Sequence, residues 1–501
     1  MALVIYKRIE NYCNEKINFI HSKSVSFLKN NYLFFFIFFA SLWIFCTFYP
    51  GTIAYDTFSV YGAAYYNLVG NWHSALLTRF WQCILFFTDN RSIFWLIQLV
   101  SIGIGLYVIG KHISKGILTG IICASILFIP PVFGDLVVVV KDTYLAAFIF
   151  LICALLFDTA LSAVKRTYIF YVICILMLVF CFYLRSNGCF IAVPLFVAIC
   201  LGWKKHIIYR YITCFVLVLC VIATTSFVDL KLLRAKDEAP DFSLMLFDLI
   251  GIAKNSGQLI LPAIPDVPDQ TTVIEHCYTP LQWDAIAHWA EKDNCNAIAV
   301  HYFKKRDEGA TNLNEARAEL RKAWVSAILQ HPSAYLKHRL AHFNYFINYL
   351  GHDEVYRPLY TTVLGFVDFG DKQGPLTYKK DSPKFWNSFI HRHLENQLWF
   401  HPYVSLLILL FFYLSTLCTR DNFNRTLNVV SFSGFVYLIG FLFVGVSADF
   451  RYSYPSLLLS ILCILAAFSF YSQEGKIFGT KKTRIIAASI TVPLFLIGII
   501  L

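Results

Sequence analysis

The amino-acid sequence predicts an all-α polytopic membrane protein with one large polar domain. Of its 501 residues, 58% are hydrophobic and only 15% are charged, and the mean hydropathy is +0.60. Soluble domains are about 45–50% apolar and about 25% charged, so a soluble fold has too little polar surface for this chain. The same composition excludes a disordered chain and a small disulfide-rich scaffold. The apolar residues form long continuous runs, which exclude an outer-membrane barrel of short alternating strands.

The apolar runs predict a bundle of about eleven transmembrane helices, because a spanning helix needs about 20 mostly apolar residues. The spans are expected at 32–49, 92–110, 117–133, 143–161, 168–184, 188–203, 208–228, 402–418, 428–446, 454–471 and 485–501. The apolar stretch 75–88 is too short to cross. It is therefore expected to form a re-entrant or interfacial helix.

This map divides the chain into four parts. They are a cytoplasmic N-terminal arm at 1–31, a transmembrane module at 32–228 with its first outer loop at 50–91, a large polar domain at 229–401, and C-terminal transmembrane helices at 402–501. Lys and Arg in short loops mark the cytoplasmic side. With the arm inside, eighteen such residues fall on the cytoplasmic side and five on the other. We therefore expect the large domain to be periplasmic or otherwise extracytoplasmic, and we expect no cleavable signal.

The large domain is predicted to be mostly helical, from patterns such as LNEARAELRKAWVSAIL. It is nearly charge-balanced, with 19 Lys and Arg against 21 Asp and Glu. Cys277 and Cys295 are its only cysteines. In an oxidising compartment they can form a disulfide, and two free thiols are the alternative. No CxxC pair and no zinc-ligand spacing occurs in the chain.

Acidic residues are scarce outside the large domain, and five of the ten found there fall at the predicted outer boundary of the membrane. These five are Asp56, Asp89, Asp135, Asp142 and Asp449. The cations Lys141, Arg185 and Arg451 are expected at the same level. Each residue alone is explained equally well as an interfacial anchor. Because charges at this depth are costly and come from independent helices, the whole layer favours a functional site.

Asp56 follows the first span in the segment FYPGTIAYDT, where Pro50 and Gly51 end the helix. It opens an aromatic segment that is expected to lie in the membrane interface. There Asp56 is placed to act as a general base toward a hydroxyl from the outer side. The alternative is an N-cap for the interfacial helix. His73, in GNWHSAL, comes just after this helix and is either a site residue or packing.

Three further motifs place charges at outer helix ends. They are VVVVKDTY, LRSNG and SADFRYSYP, which supply Lys141, Asp142, Arg185, Asn187, Asp449 and Arg451. Lys141 and Asp142 either neutralise each other, or Lys141 binds an anionic headgroup while Asp142 orients it. Arginine is shaped for bidentate phosphate contacts. The three cations are therefore expected to hold a lipid phosphate or pyrophosphate and to stabilise it as a leaving group.

Taken together, the motifs YPGTIAYDT, NWHSAL, KD, RSNG and DFRYSYP, with one large periplasmic domain, resemble the GT-C class of integral-membrane glycosyltransferases. These enzymes use a polyprenyl-phosphate sugar as donor. The likeness covers nearly the whole chain and implies a GT-C-like helical bundle. Within the class, the chain is most similar to the serotype-converting O-antigen glucosyltransferases of Gram-negative bacteria. It lacks the Asp-Glu pair that other branches carry, so no cofactor is required by the pattern and a divalent metal is one alternative.

The resemblance implies transfer of a sugar, expected to be glucose, from undecaprenyl phosphate to a hydroxyl of lipid-linked O-antigen or a similar surface polysaccharide. The reaction would invert the anomeric centre on the periplasmic side of the bacterial inner membrane. Asp56 matches the family's first-loop carboxylate and would deprotonate the hydroxyl. Arg451, Arg185 or Lys141 would stabilise the departing lipid phosphate. A donor-synthesising glycosyltransferase and a flippase are expected partners, and nucleic acid is not.

Two other functions stay open. An O-antigen polymerase or ligase also combines outer-face arginines with a large periplasmic loop, but its chemistry depends on Arg and His rather than on an early Asp. A flippase or transporter of lipid-linked glycans predicts charges along a path through the membrane midplane, whereas these charges fall at one face. The chain has no Walker loop, GxGxxG or GxSxG motif, which disfavours an ATP-driven pump and an ordinary serine hydrolase.

Overall fold

A computed structural model of the chain describes residues 31–351 and 397–500, apart from 53, 89, 91, 114–115, 163–165, 202–206, 268 and 418. The predicted arm, except for Asn31, lies outside the described residues, as do Asp89 and positions 352–396 of the large domain. The regular elements of the described part are helices. The protein is therefore an α-helical membrane protein with several apolar helices, as the sequence predicts.

The helices before the large domain are numbered α1 to α10. They are α1 (Asn31–Phe48), α2 (Tyr55–Tyr65), α3 (Ala75–Leu85), α4 (Ser92–Gly110), α5 (Ile117–Ile126), α6 (Pro130–Leu136), α7 (Lys141–Ser162), α8 (Tyr168–Leu184), α9 (Gly188–Leu201) and α10 (Ile207–Phe227). The large domain contains α11 (Asp241–Ser256), α12 (Gln270–Cys277), α13 (Ala297–Asp307), α14 (Ala310–Gln330) and α15 (Pro332–Ile347). The C-terminal helices are α16 (Pro402–Thr416), α17 (Asn422–Val444), α18 (Tyr454–Glu474) and α19 (Lys481–Ile500).

Seven segments of the described chain are long and apolar enough to cross a membrane. They are built on α1, α4, α7, α10, α17, α18 and α19. The other predicted spans correspond to α8, α9 and α16, which have 10–17 residues, and to the pair α5 and α6. Seven spans, or eight with that pair, are supported by length and composition. The total of eleven stays a prediction.

The expected single helix at 117–133 is wrong, because the chain bends by 63° between α5 and α6. Pro130 and Pro131 open the second helix of this pair. Proline has no backbone N–H to donate to the preceding turn, so a continuous helix through these residues would lose hydrogen bonds. The bend turns α6 so that its C-terminal end leads directly into the start of α7.

Helix α7 lies inside the bundle, where it packs against α4, α8, α17 and α18. Its apolar residues Leu145, Ile149 and Ile152 are fully buried. Small residues let α4 approach closely, as is common between membrane helices. A Cβ added at Gly105 of α4 would lie 2.6 Å from the ring of Phe150, so this contact needs glycine.

The large domain has its own core, formed where α11 packs on α14 and α15. Phe242, Leu246 and Ile250 of α11 are fully buried there, together with Tyr302 of α13. Burial of these apolar side chains supplies the main favourable contribution to the stability of the domain. The large domain therefore has a hydrophobic core that is separate from the core of the helical bundle.

Backbone hydrogen bonds attach the large domain to two parts of the membrane module. Lys236 N donates to Val69 O at 2.8 Å, which fixes the domain to the loop between α2 and α3. Trp283 N donates to Val446 O at 2.7 Å, in an antiparallel bridge of segment 281–283 to segment 446–448. The first attachment lies four residues before His73, and the second lies three residues before Asp449.

The structure joins Cys277 and Cys295 in a disulfide, with Cα atoms 5.4 Å apart and 18 residues of separation. Closing a loop of this length restricts the unfolded chain, which stabilises the fold by about 2–4 kcal/mol. Cys277→Ser is therefore expected to lower the melting temperature of the purified, non-reduced protein. Cys83→Ser, which changes an exposed free cysteine, serves as the control. Equal melting temperatures for the two variants would contradict a stabilising disulfide.

Candidate functional site

Backbone pairing brings Asp56 to the start of α7. Thr52 N donates to Val137 O at 2.8 Å, and Thr57 Oγ1 donates to Val139 O at 2.7 Å. The first loop thus runs beside the segment that leads into α7. The first turns of α2 and α7, both of which carry acidic residues, become neighbours as a result.

Asp56 lies in the first turn of α2 without capping it. The N-cap residue is Ala54, so the capping role considered from the sequence is wrong. The carboxylate instead forms an ion pair with Arg451, with 3.1 Å between Oδ2 and Nη1. The side chains of Asp56 and Arg451 are 18% and 16% exposed, so the pair is largely buried but keeps some solvent-accessible surface.

Arg451 connects three acidic residues. It lies in the short 3₁₀ turn Phe450–Ser453, just before α18. Its Nε is 2.7 Å from Asp449 Oδ2 and 4.0 Å from Asp142 Oδ2. With Asp56, this one guanidinium faces carboxylates from α2, from α7 and from the turn before α18. Removing its charge would leave these carboxylates to repel one another.

Asp142 and Arg185 form the most deeply buried ion pair of the site. The Asp142 side chain is 0% exposed and that of Arg185 is 9% exposed. The guanidinium of Arg185 also lies over the ring of Tyr452, 3.9 Å from its centroid, which is a favourable cation–π arrangement. Asn187, 3% exposed, follows in the turn between α8 and α9.

Lys141 differs from the two arginines. It is partly buried at the start of α7, and its charge acts on Asp56, Arg185 and Arg451. In the part of the chain that the structure describes, no carboxylate lies within 4.0 Å of its ammonium. Mutual neutralisation of Lys141 and Asp142, one of the two alternatives that the sequence left open, is therefore wrong. The site retains one cation that is available to an anionic ligand at a helix N-terminus.

Asp56 is ionised and His73 is neutral at neutral pH. Burial opposes ionisation of Asp56, but Arg451, followed by His73, Lys141 and Arg185, holds the pKa of this carboxyl well below its usual range. Burial lowers the pKa of His73 to about 4, so its imidazole is neutral at pH 7. The buried Nδ1 of His73 has no hydrogen-bond partner within the described residues. Asp56 is thus a stable carboxylate beside a neutral ring.

Asp284 of the large domain is a site residue that the sequence analysis missed. It follows Trp283, whose backbone is bonded to segment 446–448, and it interacts electrostatically with Asp56 and Arg451. Burial, with the nearby negative charge of Asp56, raises the pKa of Asp284 to about 6. Nothing in the sequence distinguishes the charge of Asp284 from those of the other acidic residues in the polar domain, which has 21 in all. The adjacent Trp in LQWDAIAHW was the one local signal for it.

A buried polar network in the large domain holds the other side of the turn that carries Arg451. Arg339 Nη1 donates to Gly445 O at 2.6 Å, while its Nη2 lies 2.6 Å from Asp248 Oδ1. Trp324 Nε1 donates to the second oxygen of Asp248 at 2.7 Å. Asp248 and Arg339 are 0% and 1% exposed. This network holds the C-terminal end of α17 and thereby helps to position the following segment, which carries Arg451.

The structure brings together most of the residues that the sequence singles out at the outer boundary. Those linked by ion pairs or by electrostatic interaction are Asp56, His73, Asp135, Lys141, Asp142, Arg185, Asp449 and Arg451. Asp135 is 2% exposed and acts on Asp449 and Arg451. Within the described ranges, no three His, Cys, Asp or Glu side chains are arranged to hold a metal ion.

A second charged cluster lies at the opposite end of α7. Asp158, with a side chain 4% exposed, has Lys111 Nζ at 2.7 Å and is also paired with Arg166. His112 Nε2 lies 2.7 Å from the same carboxylate. Here the buried acid is surrounded by its own partners, which is what structural anchoring predicts. Among the described residues, the two ends of α7 therefore differ: Lys141 at the first end has no carboxylate within 4.0 Å, whereas Lys111 at the second end is paired with Asp158.

The comparisons with known proteins assign no family to this chain. No family model matches it, and neither the curated proteins nor the solved structures give a match. The function is therefore inferred from the geometry and charge of the site described above.

Proposed function

We propose that the protein is an inner-membrane glycosyltransferase. It moves a sugar, with glucose expected, from undecaprenyl phosphate to a hydroxyl of lipid-linked O-antigen or a similar surface polysaccharide. The observation that carries this proposal is the meeting of an ionised Asp56 with Lys141, Arg185 and Arg451 at one end of the bundle, under a polar domain. A base beside several cations suits the displacement of a phosphate leaving group.

The proposed reaction is a single displacement. The acceptor hydroxyl oxygen bonds to the anomeric carbon, and the bond from that carbon to the lipid phosphate oxygen breaks. The hydroxyl proton passes to Asp56, and the bonding electrons leave with the phosphate. Because its pKa is low, Asp56 accepts the proton only once the attacking oxygen has become positively charged. Attack from the face opposite the phosphate inverts the anomeric centre.

Lys141 is the proposed phosphate ligand, because Arg185 and Arg451 are already bound to carboxylates. Lys141→Gln is expected to raise the KM for the lipid donor and to lower kcat, with about a tenfold to hundredfold loss of kcat/KM. Lys141→Arg, which keeps the charge, should retain most of this activity. The check is steady-state kinetics with varied donor. An unchanged donor KM in Lys141→Gln would contradict a role in phosphate binding.

The location on the periplasmic face belongs to this proposal. No soluble nucleotide sugar is expected outside the inner membrane, so a lipid-carried sugar is the activated form at hand. The large domain, hydrogen-bonded to the loop between α2 and α3 and to segment 446–448, would cover the donor and help to select the acceptor. In this arrangement the lipid chain lies along the bundle while the phosphate meets Lys141.

The test is the mass of the glycan repeat unit in cells. The chain is expressed in a host with a defined O-antigen and a supply of polyprenyl-phosphate glucose. A gain of one hexose per repeat is the expected result. An unchanged repeat with an altered chain length would instead identify a polymerase. No change in either property would reject the transferase in this host, and uptake of lipid-linked glycan into vesicles by the purified protein would then identify a transporter.

A further inference from the structure

Five rings form a cluster where the first loop meets the large domain. This aromatic platform consists of Trp72, Trp283, His288, Trp289 and Phe303. The ring of Trp289 lies 5.6 Å from that of Trp72 and 5.2 Å from that of Trp283. Trp283 is buried, whereas Trp289 is 46% exposed. The platform thus has a buried interior and one large ring that is partly exposed to solvent.

The aromatic platform borders the candidate site through two pairs of adjacent residues. Trp72 precedes His73, and Trp283 precedes Asp284. Both His73 and Asp284 interact electrostatically with Asp56. Hydrogen bonds from the backbone hold each pair in place: Trp72 N donates to a carboxylate oxygen of Glu238 at 2.8 Å, and Trp283 N donates to segment 446–448. The aromatic platform is therefore next in the chain to two residues that interact with Asp56.

The chemistry of this surface fits a sugar. The face of an indole ring is negative, and the C–H groups of a pyranose ring present a weakly positive, apolar face that packs on it. Sugar hydroxyls also need hydrogen-bond acceptors nearby. Asp284 is partly buried, and among the described residues no hydrogen bond or ion pair occupies its carboxylate. An exposed aromatic face and an unoccupied carboxylate on the same segment thus offer partners for the apolar face of a sugar ring and for one of its hydroxyls.

We propose that Trp289, supported by Trp72, is a stacking surface for a sugar ring of the acceptor glycan, and that Asp284 accepts a hydrogen bond from a hydroxyl of that sugar. The inference rests on the proposed function, because it names the acceptor side of the same site. Stacking there would place the next hydroxyl of the glycan near Asp56. The donor phosphate would lie on the other side, at Lys141.

An exposed tryptophan is also common in membrane proteins as an anchor at the interface. Trp399 provides the comparison, because it is 42% exposed and its ring has no contact with the aromatic platform. If Trp289 only anchors the protein, Trp289→Ala and Trp399→Ala should behave alike. If Trp289 binds sugar, only the first change should affect glycan binding, and Trp289→Phe should restore most of it because a flat ring remains.

The experiment measures binding without catalysis. The probe is the repeat-unit oligosaccharide, released from its lipid, of the host used to test the proposed function. Saturation-transfer NMR with the full-length protein in nanodiscs gives its Kd in the absence of donor. We expect Trp289→Ala to weaken binding about tenfold, Trp289→Phe to stay within about threefold of wild type, and Trp399→Ala to have no effect. Melting temperatures confirm that each variant is folded.

Either of two results would overturn the inference: wild-type protein that does not bind the oligosaccharide, or Trp289→Ala that binds it as tightly as wild type. The hexose content of the repeat is measured separately in the same host. Trp289-dependent binding without hexose transfer would retain the aromatic platform as a glycan-binding surface and reject the transferase. Hexose transfer, with oligosaccharide binding that Trp289→Ala does not weaken, would retain the transferase and reject the aromatic platform as the glycan-binding surface.

Discussion

Asp56→Asn is expected to lower the rate of sugar transfer by roughly a hundredfold or more, since general bases contribute about 10²–10⁴-fold. Asparagine has nearly the same shape but cannot accept the proton. The change should leave the protein folded, because the carboxylate is 18% exposed and its pair with Arg451 is one of several that this arginine makes. The check is the transfer rate at equal membrane levels of the two proteins.

Asp449→Asn is the matched variant for this experiment. Asp449 has a similar exposure, 16%, and contacts the same arginine at 2.7 Å. It positions Arg451 in our account but does not touch the acceptor. We therefore expect about a tenfold loss or less. If Asp56→Asn and Asp449→Asn lose the same activity, the two carboxylates only hold Arg451, and Asp56 is not the base.

Asp142→Asn is expected to destabilise the protein by about 3–5 kcal/mol, which is typical when one member of a buried ion pair is removed. Asp142 is fully buried against Arg185, and Arg451 lies 4.0 Å away. Asparagine would leave the guanidinium of Arg185 buried without a counter-ion. The expected result is a lower melting temperature in detergent, a lower membrane level and loss of transfer.

Two controls separate stability from chemistry in this prediction. Replacing both partners, in Asp142→Leu with Arg185→Met, should recover much of the stability, because no unpaired charge remains buried. It should not recover transfer. Asp158→Asn removes a buried carboxylate at the opposite end of α7. It should lower stability while the surviving protein keeps its activity. A fully active Asp142→Asn protein of normal stability would contradict both the stabilising role of Asp142 and its role in sugar transfer.

The sequence was sufficient to predict the helical class of the fold and the clustering of the charged residues. Long apolar runs identify membrane helices, and the ends of those runs place Asp56, Asp142, Arg185 and Arg451 in one layer. It did not predict which charges pair. Lys141 and Asp142 are adjacent in the chain, yet consecutive residues of a helix point about 100° apart. Asp142 therefore turns inward to Arg185, and Lys141 does not.

Other features depend on contacts that local patterns do not encode. Asp284 joins the site only because segment 281–283 pairs with segment 446–448, more than 160 residues later. The Asp248–Arg339 pair likewise acts on Gly445 through folding of the large domain onto the bundle. The bend between α5 and α6 was readable from Pro130, but hydropathy alone treated this stretch as one span.

The central claim is that this layer of charges transfers a sugar from a lipid phosphate. The most direct measurement uses purified protein in nanodiscs with undecaprenyl-phosphate glucose and the lipid-linked repeat unit. The account predicts one added hexose per repeat, an equal amount of released undecaprenyl phosphate, an inverted anomeric linkage, and loss of all three in Asp56→Asn. An unmodified repeat with intact donor, or equal transfer by wild type and Asp56→Asn, would contradict it.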